Sequence, residues 1–180
     1  MLILNHQDEQ IPISQADAKY KRYIGNGAPK HFLSWSNNLT WRNFDLSVFF
    51  RVTFGFDVFN MRKYGMGLQG CGTDNVLRSA YLEDKNIRTG GGVISSYFLE
   101  DGSFIKLENV TLGYIFTPKN RKLLDNMRIY LSAKNLFNLT GYSGNDPSII
   151  DVNGIQPRLD SNSAYPTATQ LSLGVTLRFK

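Results

Sequence analysis

Five stretches of the chain alternate apolar and polar residues with a period of two, the repeat of a strand that faces two environments. From His31 to Trp41, Leu33, Trp35, Leu39 and Trp41 share one face, and Ser34, Ser36, Asn38 and Thr40 share the other. A two-residue turn, Arg42-Asn43, leads into a second segment. There Phe44, Leu46, Val48, Phe50, Val52, Phe54 and Phe56 form an unbroken apolar face opposite Asp45, Ser47, Arg51, Thr53 and Asp57. In a fourth segment Met127, Ile129, Leu131 and Ala133 oppose Arg128, Tyr130, Ser132 and Lys134. In the fifth, Leu171, Leu173, Val175, Leu177 and Phe179 oppose Gln170, Ser172, Gly174, Thr176 and Arg178. No helical period competes with these patterns. One short helix is expected from Asn75 to Leu82, behind an Asp74 cap.

The third segment, YFLEDGSFIKLENVTLGYIF from Tyr97 to Phe116, changes parity. Ile105 and Leu107 are odd, whereas Val110, Leu112, Tyr114 and Phe116 are even. A strand facing one environment keeps its parity, so a β-bulge is expected at Glu108-Asn109. Thr111 and Gly113 then fall on the polar side. Ile105 and Leu107 are expected near or above the outer boundary of the apolar band, where loops cover the opposite face.

The connections alternate in length. Strands one and two are joined by the tight turn, and three and four by about ten residues, TPKNRKLLDN. The long connections, 57–101 and 137–167, leave from the same end of the sheet. Ten-residue alternating strands with short turns at one end and long loops at the other fit a transmembrane β-barrel. A soluble β-sandwich with carbohydrate-binding loops is the alternative, since it also alternates but turns its apolar face to a core. Aromatic placement favours the barrel: Trp41, Phe44, Tyr114, Phe116 and Phe179 gather at the tight-turn end as an interfacial girdle. Five strands cannot close a barrel, which needs about eight. In lipid each unpaired edge group costs several kcal/mol. Either further strands precede this segment or the chain associates with other copies.

On this reading Leu33, Trp35, Leu39, Trp41, Phe44, Leu46, Val48, Phe50, Val52, Phe54, Val110, Leu112, Tyr114, Phe116, Ile129, Leu131, Leu171, Leu173, Val175, Leu177 and Phe179 face lipid, while Phe49 is the one apolar exception on the polar side. Arg51, Thr111, Arg128, Tyr130, Lys134, Gln170 and Arg178 line the lumen.

Composition agrees with a β protein: 12 Phe, 9 Tyr and 16 Gly among 180 residues. The formal charge of +5 comes from scattered Lys and Arg, which does not point to nucleic acid. Cys71 is the only cysteine, so neither a disulfide nor a thiolate cage is expected. No apolar run approaches the roughly 18 residues of a spanning helix. The start MLILNHQDEQ has no basic n-region, so no signal peptide is expected in this chain. His6 and His31 stand far apart, and Asp8, Glu9 and Asp17 are wrongly spaced for a calcium loop, so no metal site or other cofactor is expected. There is no GxSxG, P-loop or HExxH, and no catalysis is expected. The glycine clusters around Gly65–Gly72 and Gly90–Gly92 read as loops. Three N-x-T triplets begin at Asn38, Asn109 and Asn138. The loop aromatics Tyr64, Tyr81, Tyr97, Phe98, Tyr142 and Tyr165 could stack on sugars; packing within the loops, or against a lid protein, is the better reading.

Two motifs, the Tyr97–Phe116 stretch and RIYLSAKNLFNLTGYSGNDPSI from Arg128 to Ile149, closely resemble the C-terminal barrel signature of SusC/RagA-type TonB-dependent receptors. IGNGAPKHFLSWSNNLTWRNFDLSVFF from Ile24 and the ending YPTATQLSLGVTLRF support the resemblance, which runs from about Ile24 onward. It implies an all-β antiparallel transmembrane barrel fragment, the last five strands of a 22-stranded plugged barrel, with residues 1–30 an extracellular loop or remnant and 31–180 the barrel portion. It also implies a receptor in the cell outer membrane that imports glycans or peptides, with a SusD-like lipoprotein over its mouth and TonB acting on its plug. The plug and the TonB contact are not represented in this chain.

Overall fold

The computed structural model describes residues 2–4, 10–12, 23–67, 75–78, 81, 96–119, 123–148, 158–160, 165 and 167–180. In chain order the strands are β1 (Leu2–Leu4), β2 (Gln10–Pro12), β3 (His31–Trp41), β4 (Phe44–Phe54), β5 (Asp57–Asn60), β6 (Leu99–Asp101), β7 (Phe104–Phe116), β8 (Leu124–Thr140), β9 (Leu159–Asp160) and β10 (Gln170–Phe179). One helix, α1 (Met61–Met66), follows β5. The chain forms two compact units.

The larger unit is a five-stranded antiparallel sheet in the order β10-β8-β7-β4-β3, built from the five alternating segments. Its register fixes the faces. Leu39, Leu46, Leu112, Leu131 and Leu173 stand in one cross-strand row. Trp41, Phe44, Tyr114, Ile129 and Val175 stand in the next.

The expected bulge is present, with the ladder shifting register between Leu107 and Asn109. Its consequence differs from the sequence-based expectation for Ile105 and Leu107. These two do not cross to the other side. Leu107 stands in a row with Trp35, Phe50 and Phe137, and Ile105 in a row with Leu33, Val52 and Leu139. The extra residue reverses parity, and the reversal keeps the apolar face continuous.

Three bounds also differ. β4 stops at Phe54 because Gly55 takes a left-handed φ of 77° and turns the chain. Phe56 therefore leaves the apolar face and is buried under the guanidinium of Arg158. β8 extends from Leu124 to Thr140, so the connection before it shrinks to 117–123 and the following one becomes 141–169. The alternation failed as a guide there because Asn135 adopts a positive φ of 53° and Lys134–Phe137 spends an extra residue against Leu107–Asn109.

The smaller unit holds a hairpin-like pair β1-β2 and a three-stranded sheet in the order β6-β5-β9, with β9 parallel to β5. The connection expected to be one long loop thus contains strands and a helix. Asn60 caps α1, its side chain accepting from the Lys63 amide at 2.8 Å. Of the helix expected from Asn75 to Leu82, residues 75–78 and 81 are described; Asn75–Leu77 are not helical, and Tyr81 is. Cys71, His6, the acids Asp8, Glu9 and Asp17, and the Gly90–Gly92 cluster lie outside them too.

Candidate functional site

The five-stranded sheet presents two chemically opposed faces. On one, every apolar residue named above from Leu33 to Phe54, Val110 to Phe116, Ile129, Leu131 and Leu171 to Phe179 stands on the same side as its neighbours. Large side chains there remain open: Leu173 is 75% exposed, Leu171 69% and Trp41 68%. Aromatic contacts run along this face, with Phe44 and Tyr114 at 4.9 Å, Trp35 and Phe50 at 5.6 Å, and Phe50 and Phe137 at 6.3 Å. Asn37 interrupts the face, in the row of Val48, Val110, Ala133 and Leu171; its buried Oδ1 has no hydrogen-bond partner among the described residues.

The opposite face is laced by charge. Arg128 Nε donates to Asp45 Oδ1 at 2.9 Å, and its Nη2 donates to Oδ2. Gly113 lies between these partners; a Cβ there would meet Asp45 Oδ1 and the Arg128 guanidinium. Tyr130 stands between Gly113 and Gly174 in one row, with its ring over the position a Gly174 Cβ would fill. The Arg128 guanidinium approaches that ring at 4.9 Å. Arg51 bridges to Glu108 at 2.7 Å, so the bulge residue serves the polar side. Thr111 donates to Ser132 at 3.0 Å. Lys134 and Gln170 pair across β8 and β10, and Arg178 reaches toward Asp125 at 3.9 Å.

Where the long connections leave, Lys106 meets Asp146 at 3.2 Å, with Ser148 and Thr167 on the same ammonium. Burial alone would raise the Asp146 pKa. Hydrogen bonds from Thr167, Ser148 and Lys106 outweigh burial and hold it below the usual carboxylate value. Sequence reading did not single out Lys106 or Asp146, and took Asn138 only for the start of an N-x-T triplet. The one available signal was Lys106 itself, a charge between Ile105 and Leu107.

In the smaller unit a pocket of about 560 Å³ is lined mostly by apolar residues, with Asp57 and Arg158 as its charged members. The IGNG stretch builds one wall: the Asn26 amide donates to Asp57 Oδ2 at 2.8 Å, and Asp57 N donates back to Asn26 O. Of the loop aromatics, Tyr64 and Phe98 pack edge-to-face at 5.2 Å, and Phe98 and Tyr142 are buried. Tyr81 and Tyr165 are exposed. No group of metal-ligating side chains occurs among the described residues.

No family model matches the chain. TonB-dependent receptor P3 of Formosa agariphila is 27% identical over 188 residues, covering 93% of this chain and 18% of the receptor. TonB-dependent receptor SusC of Bacteroides thetaiotaomicron is 27% identical over 153 residues, covering 80% of this chain and 14% of that protein. Over most of its length the chain is thus similar in sequence to TonB-dependent receptors, SusC among them. Two solved structures show the same fold. A structure of the RagAB peptide transporter aligns with a TM-score of 0.75 at 22% identity, over 98% of this chain and 20% of that one. The closed-closed state of the RagAB peptide importer aligns at 0.71 and 21%, over 97% and 20%. The chain thus spans less than a fifth of the curated relatives it matches. Its sheet has the fold of a stretch of such a barrel wall.

Proposed function

We propose that this chain forms wall and extracellular loops of an outer-membrane TonB-dependent receptor that imports a nutrient, glycan or peptide. The single observation that carries this reading is the exposed, contiguous apolar face on five strands, set against a polar face where Arg128 pairs with Asp45 and Arg51 with Glu108. A sandwich would bury its apolar face to a few per cent, whereas Leu171 and Leu173 stay open. Lipid satisfies such a face; water does not.

The apolar residues then face lipid, and Arg51, Thr111, Arg128, Tyr130, Lys134, Gln170 and Arg178 face the lumen. β3 and β10 each leave one edge unpaired among the described residues, so further strands complete the wall, as the last five of 22. A SusD-like lipoprotein covers the mouth, and TonB acts on a plug outside this chain. The role is transport without catalysis. The test is fractionation of cells that carry the protein. It is expected with the outer membrane, resistant to alkaline extraction and heat-modifiable on gels. Recovery as a soluble, cooperatively melting protein would overturn the reading.

A further inference from the structure

Lys106 belongs to the polar face, in a row with Arg51 and Asn138. A lysine on an open polar face extends its ammonium into water. This one is 3% exposed, and its partner Asp146 is 5% exposed. The cover is local in sequence: residues 141–148, which follow β8, turn back over the face and bring Asp146, the fully buried Pro147 and Ser148 onto it. Thr167 arrives from the far end of the same connection.

The hydrogen bonding is complete enough to hold one arrangement. Asp146 Oδ1 accepts from Asn138 Nδ2 and from Ser148 N, each at 2.8 Å. Oδ2 accepts from Thr167 Oγ1 at 2.7 Å and from Lys106 Nζ at 3.2 Å. Lys106 Nζ also donates to Ser148 Oγ at 2.8 Å and Thr167 Oγ1 at 3.3 Å. A buried ion pair is tolerated only when its remaining donors and acceptors are satisfied in this way. Two strands and both ends of one connection therefore meet at a single point.

We infer that residues 141–148 form a fixed shelf folded back over the polar face and clasped by Lys106 and Asp146. In the assembled barrel this shelf narrows the mouth from the lumen side. A solute moving along this stretch of wall meets the shelf before it meets the strands. The inference rests on the reading that the polar face lines a lumen.

The test uses the membrane-embedded protein with Cys71→Ser. A short bis-maleimide is expected to bridge Asn138→Cys with Ser148→Cys, and not Leu139→Cys with Ser148→Cys. Bridging to Leu139→Cys, or to neither, overturns the shelf. Labelling of Ser148→Cys by a maleimide-linked polyethylene glycol is expected about tenfold slower than that of the open Tyr165→Cys, and the gap closes with Lys106→Met. Equal rates with Lys106 in place overturn the clasp. Should Lys106→Met fail to reach the membrane, Asp146→Asn supplies the same comparison, since it removes the charge at nearly constant shape. Resistance to alkaline extraction, read on the same samples, separates the two ideas. Bridging in a protein that is extracted leaves the clasp standing and removes its lumenal position.

Discussion

Four residues show how each face is enforced. Asn37 places an amide in the apolar row beside Val48, with its Oδ1 buried and no partner for it among the described residues. An unsatisfied buried polar group costs about 1–3 kcal/mol. Asn37→Leu is therefore expected to raise resistance to denaturant in detergent or bilayer, read as a higher unfolding midpoint at unchanged slope. Tyr130 and Gly174 are locked in the opposite sense. Gly174→Val should destabilise by about 1–3 kcal/mol through overpacking, and Tyr130→Ala in the same chain should recover part of the loss. Simple additivity in that double-mutant cycle would show that ring and glycine are not coupled. Asp146 gives the pH dependence. Its pKa is lowered on folding, so its stabilising contribution is complete above the unfolded carboxylate value. That contribution fades only as pH falls through the lower folded value. Protection of the Ser148 amide, which donates to Asp146, against hydrogen exchange, measured relative to its intrinsic rate at each pH, should hold through mildly acid pH and drop only below the ordinary carboxylate range.

Among the elements, β7 carries the most specific expectation. Deleting Glu108 removes the parity reversal. Either Lys106 is thrown onto the apolar side with Ile105 and Leu107 on the polar one, or the register of β7 slips against both neighbours. Loss of heat-modifiable migration is the expected outcome; normal assembly would mean the bulge is dispensable. A charge on the apolar face is likewise sided. Leu112→Arg should cost about 2–4 kcal/mol where the face meets mid-bilayer, whereas Thr111→Arg, one residue away, should be tolerated. The sequence made these strands readable because period-two alternation is a direct imprint of two environments. It stopped being readable where backbone geometry overrode alternation. At Asn135 a left-handed residue hid the last turnings of β8, and at Gly55 another ended β4 before Phe56. Neither glycine nor asparagine announces from sequence alone which φ it will adopt. The Lys106–Asp146 clasp was invisible for a different reason: its members lie 40 residues apart and meet only through the fold.

For the whole molecule, the two opposed faces, the two edges unpaired among the described residues and the shared fold with the RagAB structures support the proposed stretch of a larger wall. The connectivity of that wall also orders events in time. β3 and β4 are joined by Arg42-Asn43 alone, and β7 and β8 by the short 117–123 connection, so each pair can zip locally on a microsecond scale. Joining β4 to β7 closes a loop of about 50 residues, and seating β10 on β8 closes one of about 30; both carry an entropic cost that the local hairpins do not. On the proposed reading the two hairpins are expected to form before they register side by side, and that registration is expected to be the slow step.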